Sequence, residues 1–242
     1  MKLKFSGFTL VEMAIVLALI ALILGTGLTL LSAQQYQRRI DETNALLNDA
    51  REALLGFALT SVATDTRPYL PCPDKTTSAG AGTANDGQED RTASPGPCVT
   101  QEGNLPWVTL GLSPQIDTWS NRMRYQVTAV FSNSTTGMLL TSTGNLNVLD
   151  AVGGNTIAAN VPAVILSHGQ NGLGAINTAG NANPAPPVAS TDETANTDGT
   201  PFVSHSITAA KDIPANGEFD DQVIWLSPNI LFNRMVQAGR LP

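Results

Sequence analysis

The sequence predicts an α+β protein: one long N-terminal α-helix, half apolar and half amphipathic, packed through its second half on an antiparallel β-sheet, with a short C-terminal helix. Three observations carry that prediction. Residues 8–31 are almost wholly apolar. Tyr36, Ile40, Thr43, Leu47, Ala50, Leu54 and Phe57 then recur at alternating four- and three-residue steps, which places them on one helical face. Beyond Pro68, Pro71 and Pro73, which disallow further helix, short apolar runs alternate with Gly, Asn and Pro.

At a rise of about 1.5 Å per residue the apolar run is a helix of about 36 Å, enough to cross the ~30 Å hydrocarbon core of a bilayer. A secretory signal would have a shorter apolar region closed by a small-residue cleavage site. Here the run continues directly into Ser32-Ala33-Gln34-Gln35-Tyr36, so the segment reads as retained. Glu12 lies within it, and a carboxylate in lipid is costly enough to be paired, functional, or placed at the helix N-terminus where the dipole favours it. Lysines precede the span (Lys2, Lys4) and arginines follow it (Arg38, Arg39), so basic residues alone do not set orientation.

Gly7-Phe8-Thr9-Leu10-Val11-Glu12, after a short basic leader and before a long apolar run, closely resembles the class III signal of type IV pilins and type II secretion pseudopilins. The resemblance implies a pilin-like fold, cleavage by prepilin peptidase between Gly7 and Phe8 on the cytoplasmic side, and N-methylation of the new Phe8 amine. It also implies that Glu12 sets assembly register by pairing with a neighbouring subunit's N-terminal amine. The expected organisation is a leader at 1–7, a transmembrane and filament-core helix at 8–31, the amphipathic half of the helix at 32–66, and a periplasmic or extracellular domain at 67–242. The whole helix would measure roughly 80 Å. Gly25-Thr26-Gly27 is either a weak point in it or a place for close helix packing.

The remainder is read from composition and punctuation. Net charge is −7, and loss of Lys2 and Lys4 with the leader takes it to −9. Such a body repels phosphate backbones, so no nucleic acid partner is expected. Cys72 and Cys98 are not at CxxC spacing, and in an exported chain they read as one disulfide, stabilising by about 3.5 kcal/mol on the chain-entropy argument. Residues 76–97 read as an extended loop fastened by that bridge, and residues 177–201 as a second surface loop. Strands are expected at 122–131, 137–146, 161–166 and 222–226. Ser227, Pro228 and Gly239 frame a C-terminal helix whose inward face would be Leu231, Met235 and Ala238.

No enzyme is expected. Ser167 and His168 precede a Gly-rich stretch, but GxSxG and GxxxxGK[ST] are both absent, and a strand leading into a turn explains the pattern. The layout of Ser167-His168-Gly169-Gln170-Asn171-Gly172, the later Asp220-Asp221 and Asp117-Thr118-Trp119-Ser120-Asn121 (compare Asp-x-Trp-Gly-Asn) resembles the calcium-holding region of major pseudopilins. His168, Gln170 and Asn171 stand where that resemblance calls for acidic ligands, so no cofactor and no metal ligand is assigned, calcium being the candidate if one binds. His168 and His205 read as ordinary turn or strand residues, and Trp107, Trp119 and Trp225 as core or loop anchors.

The function expected from the resemblance is a structural subunit of a type IV pilus or a secretion pseudopilus. Its partners would be like subunits, prepilin peptidase and the inner-membrane assembly machinery. It would be a single-pass inner-membrane protein with a periplasmic domain before assembly. The alternative is a minor or tip pilin that binds a partner through its loops. Gly7→Ala is expected to leave an uncleaved precursor beginning at Met1, read by intact-mass spectrometry of the membrane fraction; normal processing would contradict the leader.

Overall fold

The computed structural model describes Gly7 and residues 9–113, 116–208 and 217–241, with backbone alone at 23–31. Two compact units divide between Asp41 and Glu42. In chain order the elements are α1 (Leu10–Thr60), β1 (Glu102–Asn104), β2 (Arg124–Val127), α2 (Ala129–Ser132), β3 (Leu146–Leu149), β4 (Thr156–Val161), β5 (Ala163–Ser167), α3 (Thr191–Asp198), β6 (Phe202–Val203), β7 (Gln222–Leu226) and α4 (Pro228–Gln237).

In the first unit every described side chain of α1 up to Leu22 is exposed, Leu10 at 87% and Leu22 still at 69%. α1 is helical through Gly25-Thr26-Gly27. Among the described residues no helix is long and apolar enough to cross a membrane. The apolar run read from the sequence includes Phe8 and the side chains of 23–31, which lie outside them.

In the second unit the expected helical stripe is buried at Thr43, Leu47, Ala50 and Leu54, and continues through Leu55 and Ala58. Phe57 is half-buried and meets Tyr69 edge-on at 5.6 Å. α1 ends at Thr60, within the segment 32–66. The Ser61 hydroxyl donates to the Tyr69 carbonyl, and the Ala63 N–H donates to the Arg67 carbonyl around Thr66 at φ 72°, so the chain has already turned.

The first sheet has the order β1-β2-β5-β7 and is antiparallel throughout. The second has the order β4-β3-β6, with β3 and β6 parallel. Alternation in β2 explains how the sheets stack. Met123, Tyr125 and Val127 join Leu47, Leu54, Leu231 and Met235 in one core, and the buried Tyr125 hydroxyl donates to the Pro71 carbonyl at 3.1 Å. On β5, Ile165 belongs to that core, while Val164 and Leu166 join Leu146, Val148, Val161 and Phe202 in a second. Every residue of β5 is therefore buried, as its continuous apolar run requires.

Of the expected strands, 222–226 falls on β7 and 161–166 largely on β5. The run 122–131 is cut short because α2 begins at Ala129. The run 137–146 is turn and loop up to β3. Gly137 sits at φ 55° so close to Arg67 that a Cβ would lie 2.5 Å from that side chain, and Leu139 and Leu140 are exposed. β1, β4, β6 and α3 were not anticipated, and 177–201 contains α3 with Glu193 and Asn196 buried. In α4, Leu231 and Met235 are buried as expected, but Ala238 is exposed because the helix has ended at Gln237.

Cys72 and Cys98 are bonded, with Cα atoms 5.3 Å apart. The loop they close is organised around a fully buried Lys75, whose ammonium donates to the carbonyls of Ala79, Gly80 and Ala81 at 3.3, 3.0 and 2.9 Å. Trp107 lies over Gly87, where no side chain would fit. Asp74 accepts from the Gly87 N–H, and burial pushes its carboxyl up to about 6 against that hydrogen bond, helped by the charges of Asp86 and Asp90.

A raised carboxyl favours the protonated fold, so its contribution is present at pH 4 and lost as pH rises through 6. Relative to Asp74→Asn, the wild type is expected to lose about 2 kcal/mol between pH 4 and 7, measured by urea unfolding. In the 117–121 turn, Asp117 accepts from the Trp119 and Asn121 N–H groups at 2.9 and 2.8 Å, while exposed Ser120 holds φ 69°. A side chain there is strained, so Ser120→Gly is expected to stabilise by about 0.5–1 kcal/mol in the same assay.

Candidate functional site

The first candidate is the start of α1. Gly7 is exposed, and Phe8, the expected site of cleavage and N-methylation, lies outside the described residues. Thr9 is placed just before the helix and Glu12 in its first turn. The Thr9 N–H and hydroxyl both donate to Glu12 Oε2 at 2.8 Å, and the Glu12 N–H donates back to Thr9 Oγ1 at 3.3 Å. This is a reciprocal capping box, the Thr-x-x-Glu arrangement that satisfies two otherwise unpaired donors at a helix start. The spacing Thr9-Leu10-Val11-Glu12 announces it, although the sequence reading gave Glu12 only a dipole or an intermolecular partner. Glu12 thus has an intramolecular role whatever it meets in another chain.

The second candidate lies where β5 ends and β7 begins, strands paired through Ser167 and Gln222. Asp220 and Asp221 precede β7, and His168 follows β5. Ser167 and His168 do not act together: the Ser167 hydroxyl donates to Asp117 at 2.7 Å, whereas His168 Nδ1 is 3.5 Å from Asp221 Oδ1. Gly169 is dictated by crowding, since a Cβ there would lie 2.3 Å from the Asp220 carbonyl oxygen. Asn171 donates its backbone N–H to Asp220 Oδ2 at 2.8 Å and its side-chain amide to Glu193 Oε1 at 2.7 Å. Asn196 donates to Asp221 Oδ2 at 2.7 Å.

Glu193, Asp220 and Asp221 are all buried, and each offers an oxygen within 4.8 Å of the others'. Burial pushes Asp220 up to about 8, with the charges of Asp221, Glu193 and Glu218 adding to it against the Asn171 hydrogen bond. Burial likewise raises Glu193. Glu193 was missed because 177–201 read as loop. Ser190-x-x-Glu193 and Gly199, which takes φ 91° at the helix end, were the signals that could have found α3.

These carboxylates alter the account of the loop 168–174. Gln170 and Asn171 supply no acid, as the sequence indicated, but a helix inserted later in the chain does. A site rich in carboxylate oxygens suits a hard divalent cation such as calcium, whose charge would offset carboxylates held close together away from water. Next to it, a cavity of about 170 Å³ is lined by Glu102, Asn104, Arg122, Arg124 and His168, among others.

Residues 2–28 match the family described as the prokaryotic N-terminal methylation motif. No curated protein and no solved structure matches the chain. With Gly7, Thr9 and Glu12 at the head of a long helix that packs on antiparallel sheets, the chain carries the N-terminal methylation motif typical of type IV pilins and pseudopilins.

Proposed function

We propose that this chain is a structural subunit of a type IV pilus or a type II secretion pseudopilus. Prepilin peptidase cleaves it between Gly7 and Phe8, Phe8 is N-methylated, and α1 anchors it in the inner membrane with the body in the periplasm. On assembly the same helix enters the filament core, and Glu12 meets the N-terminal amine of a neighbouring subunit. The match of residues 2–28 to the methylation motif carries this reading. The exposed apolar side chains of α1 up to Leu22 support it, because such a surface needs lipid or like helices around it. A scarce tip subunit that binds a partner is the second reading, favoured by the polar cavity beside Arg122 and Arg124. Its abundance in sheared filaments separates the two.

The capping box shapes the test. Glu12→Gln keeps an acceptor for the Thr9 N–H but removes the charge, whereas Thr9→Val removes the cap and keeps the charge. Glu12→Gln is expected to be cleaved and inserted normally yet to reach filaments at least tenfold less than wild type. Thr9→Val, costing about 1 kcal/mol of helix start, is expected to assemble. Immunoblotting of membrane and filament fractions reads both. Wild-type incorporation of Glu12→Gln would remove the intermolecular charge pair from the mechanism.

A further inference from the structure

Arg122 and Arg124 stand two residues apart on extended chain, which places them on the same side of β2 and its approach. Between them they hold both ends of the insertion that carries α3. The Arg122 guanidinium donates to the Asn177 and Thr178 carbonyls at 3.3 and 3.4 Å, and its backbone N–H to the Ile176 carbonyl at 2.8 Å. The Arg124 guanidinium donates to the Thr197 carbonyl and pairs with Glu102 of β1. The cavity of about 170 Å³ lies here, with both arginines, Glu102, His168 and Ile176 in its wall.

The charges of this wall do not balance. Glu102 answers Arg124, but Arg122 forms no ion pair among the described residues, in a chain where 20 acidic residues outnumber 13 basic ones. The carbonyls that Arg122 meets bond its guanidinium without neutralising it. His168, 1% exposed, adds a ring whose nitrogens both lack a hydrogen-bond partner. An uncompensated cation beside unmet polar atoms marks a place for an anion. One negative charge restores the balance. A phosphate group, at about −1.5 to −2, would overshoot it beside Glu102 and Asp221, the latter 3.5 Å from the His168 ring. A carboxylate carries a single charge and matches the planar guanidinium fork. Ile176 offers apolar contact to a short stem, and the volume is below the ~300–1,000 Å³ of pockets for drug-sized ligands.

We infer that the cavity binds a single carboxylate on a short apolar stem, with Arg122 as its charge partner. Arg124, already paired, holds Glu102 and the Thr197 end of the insertion in place. Two sources offer this chemistry: a free short-chain acid and the last residue of a polypeptide. The inference gives the cavity a ligand class and so deepens the partner-binding reading, but it uses nothing about assembly. Titration reads the site and filament abundance reads the subunit's role, so each can fail without the other.

The test is calorimetric titration of the full chain in detergent and a carboxylate-free buffer. Propionate and N-acetyl-alanine are each expected to bind once per chain and to raise the melting temperature. N-acetyl-alaninamide, which keeps the stem and loses the charge, is expected to do neither. Inorganic phosphate should bind about tenfold more weakly than the better acid. N-acetyl-alanine bound about tenfold tighter than propionate assigns the site to a chain end, and equal affinities assign it to a free acid; both support the inference. Arg122→Gln should weaken the acids about tenfold, and Arg122→Lys, which keeps the charge without the fork, should fall between it and wild type. Arg234→Gln, on the half-exposed side chain of α4, should bind as wild type does. Where Arg122→Gln does not melt cooperatively, the comparison of acid with amide in the wild type decides. Absence of binding by both acids, amide or phosphate bound as tightly as the acids, or wild-type affinity in a folded Arg122→Gln would each overturn the inference.

Discussion

An apolar helix whose own chain offers it no cover must be covered by something else, and the organisation of this protein follows from that constraint. From Leu10 to Leu22 every side chain of α1 is exposed. At about 25 cal/mol per Å² such a surface is untenable in water and at ease in lipid or among like helices. Further along the same helix the pattern changes, and Thr43, Leu47, Ala50, Leu54 and Ala58 are buried in a core completed by β2, β5 and α4. The second unit therefore has apolar cores of its own, and exchanging one apolar environment for another at the N-terminal end requires no rearrangement of these contacts.

Within that body, each of the two long elaborations brings a charged side chain inside. The first, closed by Cys72 and Cys98, wraps its carbonyls around the Lys75 ammonium. A loop backbone folded over itself would otherwise leave acceptors unmet, and a lysine brought inside meets three at once. The second, carrying α3, has the opposite polarity: it brings a carboxylate to two others, and it is tethered by hydrogen bonds such as Arg124 to the Thr197 carbonyl and Asn196 to Asp221 and the Val203 backbone. Sequence composition made both look like loose polar loops, yet each buries a charged side chain that its own sequence supplies, Lys75 in the first and Glu193 in the second.

What was legible in the sequence follows the strength of local signals. The α1 stripe could be read because its period persists over many turns, and β7 because Gln222–Leu226 is an apolar run with clear borders. β1 and β6 could not, being two or three residues long and defined by their partners rather than by pattern. The run 137–146 is not one strand: Met138 is buried, but Leu139 and Leu140 face outward beside a glycine turn imposed by Arg67, a contact distant in sequence, and only Leu146 enters β3. At the candidate sites, Gly7, Phe8 and Glu12 were singled out by the resemblance of the leader and apolar run to a class III signal, and Cys72 with Cys98 by their being the only two cysteines. Glu193 was unreadable as a partner of Asp220, because nothing local records that α3 folds back on the start of β7.

Glu12 shows how one carboxylate can serve two requirements. A helix start needs its first N–H groups satisfied, and in an apolar setting, where no water substitutes, that need is sharper than at a protein surface. Glu12 meets it through Oε2, which takes both bonds from Thr9, while Oε1 makes neither of them. The local cap fixes the side chain's direction and lowers the cost of placing it in an apolar helix; the charge remains for a partner of opposite sign. A glutamine would satisfy the first need alone, and an acid far from the helix start only the second. The cap and the proposed charge pair thus make different demands, and Glu at the third residue after a Thr cap is compatible with both.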